Sequence, residues 1–78
     1  MDLKSIKTLV QDHSVDQLMK WADELENTGV APFKTQEDVN EQMSDYLQAA
    51  EIRAMMDAGK PMNDAIREFA QRVRGVLN

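Results

Sequence analysis

Apolar residues return every three to four positions along almost the whole chain, and no stretch alternates strictly enough to predict a strand. That periodicity predicts four helices. The first covers residues 3–12, with Leu3, Ile6, Leu9 and Val10 on one face. Ser14 then opens a second helix: Ser14 and Gln17 make the Ser-x-x-Gln box, in which hydroxyl and amide each satisfy an orphan backbone donor. This second helix runs over 15–27. At 100° per residue, Val15, Leu18, Met19, Trp21, Ala22 and Leu25 gather on one side, while Asp16, Gln17, Lys20, Asp23 and Glu24 occupy the other. Gly29 is the terminator, because glycine takes the left-handed conformation without a steric penalty.

Residues 29–34 are the one predicted loop, with Val30 and Phe33 expected to fold back over the core. Pro32 forbids continuation of the helix. Thr35 is read as the cap of a third helix over 36–58, with Glu37 and Asp38 in its first turn, where the helix dipole favours negative charge. Val39, Met43, Tyr46, Leu47, Ala50 and Ala54 form the main stripe of this helix. Ala49, Ile52 and Met56 form a second strip, roughly 120–180° away. A helix apolar on two sides is central in its own domain or shared with another subunit. Methionine suits an adaptable contact, so the second strip predicts a homodimer; the competing reading has the short first helix cover it. Gly59 and Pro61 stop the third helix, and Asn63 caps a fourth that reaches 77, with Met62, Ala65, Ile66, Phe69, Ala70 and Val73 on its apolar face. The fold class is all-α: one small four-helix domain over 1–78, orthogonal or bundle-like, with a short first helix and a two-helix hairpin at the C-terminus.

Length and composition narrow the function classes. Seventy-eight residues exclude a two-domain enzyme, a barrel or a doubly wound nucleotide fold. Hydrophobic content of 42% and charged content of 29% are those of an ordinary globular chain. There is no cysteine, which removes disulfides, thiolate metal sites and cysteine nucleophiles together. A formal net charge of −5 repels phosphate backbones and disfavours nucleic acid as a partner. No apolar run is long enough for a membrane span and no signal peptide follows Met1, so a cytoplasmic protein is expected.

Candidate chemistry is sparse. His13 is the single histidine, and Asp12 beside it points to a different side of the helix. No catalytic set, metal site or cofactor is predicted from one histidine, no cysteine and three isolated glycines. Glu37, Glu41 and Asp45 stand at i, i+4 and i+8, an acidic row whose mutual repulsion calls for a compensating partner. A protein contact is the preferred use of that row, a solvated face the plain one. Arg67 and Arg74, seven apart, share a side of the fourth helix, with Arg72 toward its rim. They answer the acidic row within the fold or across a dimer, lie solvated, or meet an acidic or phosphate partner. The turn at Ala58 and Gly59 superficially suggests a helix-turn-helix, but the apolar residues that follow fall one register late and Asp64 and Glu68 interrupt the basic face. The candidate interaction surface is therefore Glu37, Glu41, Asp45, Ile52, Met56, Arg67 and Arg74. A non-catalytic interaction or regulatory adaptor, homodimeric and with an unidentified protein partner, is the expected function; a nucleic-acid-associated regulator using the C-terminal arginines is the alternative.

Three stretches carry a family resemblance: 6–10 (Ile-Lys-Thr-Leu-Val) with 13–18, then 41–52, then 64–74 (Asp-Ala-Ile-Arg-Glu-Phe-Ala-Gln-Arg-Val-Arg). Through them the chain resembles a family of very short, uncharacterised bacterial proteins, mainly from Bacteroidota. The resemblance implies an all-helical fold over residues 3–77 and transfers no activity, cofactor or site. Glu41, Glu51, Arg67 and Arg74 are the polar positions inside the matching stretches.

Overall fold

Four α-helices follow one another: α1 (Leu3–Asp12), α2 (Val15–Thr28), α3 (Val39–Asp57) and α4 (Met62–Leu77). The computed structural model describes residues 3–30 and 38–77, with side chains described over 4–30 and 38–72. Among the described residues there is no strand. The all-α expectation stands.

Local chemistry sets the helix ends. The Ser14 hydroxyl accepts the Gln17 N–H at 3.2 Å, one arm of the predicted box. Gly29 ends α2 at φ 76°, its N–H donating to the Leu25 carbonyl at 2.8 Å. At the end of α3, Lys60 N–H reaches Met55 O at 3.1 Å and Gly59 N–H reaches Met56 O at 3.0 Å. With Gly59 at φ 111°, this is the Schellman pairing that satisfies the last carbonyls of a helix.

Two expected starts move. Asp38, read as a first-turn residue, is itself the N-cap of α3: one carboxylate oxygen accepts Asn40 N–H at 2.7 Å and Glu41 N–H at 3.2 Å. A short side chain two or three residues ahead of two orphan donors satisfies both, which Thr35 cannot do for a helix beginning at Val39. Thr35 itself lies outside the described residues. In α4 the first helical bond runs from Ala65 N–H to Pro61 O at 2.9 Å, so Asn63 is within the first turn and not its cap. Val30 is 69% exposed, so this part of the loop does not fold back over the core; Phe33 lies outside the described residues.

One cluster of buried side chains draws on all four helices. Ile6 and Val10 from α1, Leu18 and Leu25 from α2, Tyr46 and Ile52 from α3 are the largest of its fully buried members, and Ala65 and Phe69 join from α4. The common element is α3, which packs against each of the other three. Its Ala49 and Ala50 let neighbouring backbones approach, and Ile52 and Tyr46 fill the space between. The radius of gyration is 12.1 Å, close to the ~11.5 Å expected for a folded chain of this length.

Candidate interaction surface

The rotation of α3 decides which residues reach solvent. Tyr46, Ala50, Gln42, Ala49, Asp45 and Ile52 are its buried residues, and at 100° per residue they sweep an arc of about 160°. That arc is centred about 100° from the stripe the sequence favours. The second strip turns inward, and the expected main stripe is split: Tyr46 and Ala50 are buried as predicted while its far side reaches solvent. Ala49 and Ile52 are both 0% exposed and Met56 is half-buried against the same core, so the strip proposed for a second subunit is covered by the chain itself. Leu47 is 43% exposed, Val39 38%, Ala54 is exposed and Met43 half-buried, although these belong to the expected main stripe.

Arg53 explains part of this rotation. Its guanidinium donates from Nη1 to Val10 O at 2.7 Å, at the end of α1, and from Nε to Asp57 Oδ1 at 3.0 Å. The last turn of a helix has unsatisfied carbonyls and a negative dipole end, so an arginine from another helix is a favourable partner for it. Arg53 thus holds α1 across the C-terminal half of α3. Nothing local in sequence marks this role, because the partner is 43 residues away.

The same contact gives the sense of the α2–α3 pairing. Val10, just before α2, sits at Arg53, whereas Trp21, midway along α2, meets Tyr46 with ring centroids 6.0 Å apart at 71°. Moving forward along α2 therefore means moving backward along α3, and the two helices run antiparallel. His13 completes an edge-to-face series, 4.5 Å from Trp21 at 69°. Such pairs contribute about 0.5–1.5 kcal/mol beyond area burial. His13 is half-buried and packs against the α2 aromatic.

The acidic row is not one solvated face. Glu41 is exposed; Asp45 is only 4% exposed and is not a free carboxylate; Glu37 lies outside the described residues. Neither Arg67 nor Arg72 is paired with Glu41 among the described residues. Arg72, seven residues after the buried Ala65, faces α3 and pairs with Glu51 at 3.1 Å. Arg67 points outward, its side chain 71% exposed, with Asp64 of its own helix at 3.9 Å. Lys60 pairs with Glu68 across the start of the α4 hairpin arm. The Arg74 side chain is outside the described set. Among the described residues no group of three or more His, Asp or Glu is placed to hold a metal ion. No described helix is long and apolar enough to cross a membrane.

Comparison with known proteins places this pattern in a family. A family model covers residues 1–78. The chain belongs to DUF6952, a family of unknown function. No curated protein and no solved structure matches it. DUF6952 supplies no activity, so the functional reading has to come from the surface: a sealed edge of α3 at Asp45 and Ile52, and a half-open one at Met43 and Leu47.

Proposed function

We propose that this member of DUF6952 is a small, non-catalytic interaction module, a regulatory adaptor of a bacterial cytoplasm that binds another protein through the open edge of α2 and α3. The observation that carries this reading is that Leu47 and Met19 remain 43% and 42% exposed while the same core has taken in the acid Asp45. A cluster of large apolar side chains left at solvent is the mark of a contact surface, whereas single scattered ones are not. Ile52 and Asp45, buried as they are, drop out of the surface expected from the sequence. Glu41 stays exposed on α3, and Arg67 is exposed on α4, away from this edge.

Site-specific photo-crosslinking in the native host is the direct test, with the photoreactive residue at 47 and, as control, at 67. A defined protein adduct formed from 47 and not from 67 is the expected result. Equal adducts from both positions, or none from 47, overturn the reading. A second copy of the chain is the competing occupant, which would restore the homodimer. Light scattering over a concentration series separates the two: a two-chain mass that falls to one chain in Leu47→Asp identifies self-association. Binding to random duplex DNA that weakens steeply with salt would transfer the function to the arginines of α4.

A further inference from the structure

We propose that the occupant of the open edge is a basic amphipathic helix presented by the partner protein. This rests on the interaction reading above and adds the chemistry of the partner. In an antiparallel pair, residues displaced in the same rotational sense from the facing positions emerge on the same side. Met19 lies 100° from the buried Leu18, and Leu47 lies 100° from the buried Tyr46, both in the same sense. Met19 and Leu47 therefore flank one side of the α2–α3 seam, opposite to the side that holds Trp21. From Val39 to Ala54 this side extends about 22 Å along α3, the length of a helix of about fifteen residues. Methionine and leucine along an inter-helix seam are the usual floor for a helix laid in a groove.

Charge selects among helices. Asp16, Asp23 and Glu26 are all exposed on α2 and fall within about 80° of one another, adjoining Met19. Among the described residues no ion pair engages any of the three. Glu51, on the α3 side, is already held by Arg72. Lys20, exposed one turn from Asp16 and Asp23, offsets one of these charges in part, and the apolar strip is bordered along α2 by a net excess of carboxylates. A second copy would bring the same three acids against this border, and a nucleic acid would bring phosphates; both are repelled. Lysine or arginine flanking an apolar stripe is complementary, and steers encounter as well as register.

The test uses the full chain and three labelled synthetic peptides of sixteen residues. One is helical with a leucine stripe flanked by lysines, one has glutamates in place of the lysines, and one is the lysine peptide scrambled so that the stripe is broken. Fluorescence anisotropy is expected to show binding of the first alone. Leu47→Asp and Met19→Asp should each weaken it by about tenfold or more, and the paired exposed changes Asp23→Lys and Glu26→Lys by about tenfold. Circular dichroism confirms that each variant is folded, and the α2 charge reversals, being fully at the surface, keep the test valid if an apolar variant is not. Equal binding of the scrambled peptide, or unchanged affinity after the charge reversals, overturns the inference. If the lysine and glutamate peptides bind alike and both are lost in Leu47→Asp, the partner is not basic but the edge is still a contact site. If no peptide binds while Met19→Asp abolishes the native photo-crosslink from position 47, the partner is not a basic helix. If Met19→Asp alters neither, the interaction reading falls with it.

Discussion

Asp45 is 4% exposed on α3 and Leu47, two residues later, is 43% exposed, so the edge of the helix that carries the acid is sealed while the edge that carries the leucine stands half open. Hydrophobicity alone would assign them the other way. The difference lies in the neighbours: α1 is locked over the C-terminal half of α3 by the Arg53 bond to Val10 O, and this fixes which side of α3 has to be filled. The small residues Ala49 and Ala50 let the backbones close in, and Ile52 becomes the anchor of that side. An edge in a small helical protein is buried because another element reaches it, and its own composition follows only loosely.

The largest effect is expected at Ile52, in the sealed edge. Replacing this fully buried side chain by alanine leaves a cavity in the sealed edge and is expected to cost about 2–5 kcal/mol. A chain of this size has about 4–12 kcal/mol of stability in total, so the variant should lose roughly half of it. Urea unfolding followed by circular dichroism reads the loss. A destabilisation below about 1 kcal/mol would mean that the sealed edge is not packed as described.

Arg53 is the next largest. Arg53→Met keeps much of the aliphatic stem and removes the guanidinium, so Val10 O and Asp57 lose their partner together. Charge-assisted hydrogen bonds of this kind contribute about 1.5–3 kcal/mol, and the variant should be destabilised by that amount. Arg53→Lys should recover only part, because an ammonium cannot address a carbonyl and a carboxylate along two fixed N–H directions. Amide exchange should quicken in α1 more than in α4, since α1 is the element held by this contact.

The sequence was informative where structure is decided locally. The span of α1, the Ser14 start of α2, and the stops at Gly29 and Gly59 all depend on residues within a turn of the event, and each is found where the pattern predicts it. What the sequence does not carry is set by distant partners. The face of α3 is ambiguous because a helix with three neighbours has no single polar side, and alanines give no signal of which side closes. His13 against Trp21, and Arg53 against Val10, join residues whose proximity depends on how the helices turn. The Asp38 cap is a different case. Asp38 and Glu41 have the cap-x-x-Glu spacing, and Thr35 with Asp38 three residues later offered a rival that only the helix start could reject.

The half-open edge of α3 begins at the Asp38 cap. Asp38→Ala should cost about 1 kcal/mol by removing the acceptor of two orphan N–H groups. Thr35→Ala should change stability by less than about 0.5 kcal/mol. Thermal melts of the two variants side by side decide it; at about 4–8 °C per kcal/mol for a chain of this size, the Asp38 effect is well resolved. The reverse order would return the cap to Thr35 and lengthen α3 at its N-terminal end.

The smallest effect on folding belongs to the residue with the largest proposed effect on contact. Leu47→Gln retains good helix propensity and a short aliphatic stem, and it replaces a side chain already 43% in water. Its cost to folding should stay within about 0.5 kcal/mol. Set beside Ile52→Ala, this contrast separates two explanations of an apolar α3. If both residues served the core, both substitutions would destabilise and the open edge would be a misreading of a loosely packed interior. If Leu47 serves a partner, its substitution is nearly silent in a urea titration of the isolated protein and evident only in a binding measurement. Silence in the first together with loss in the second is what distinguishes a docking surface from the margin of a core.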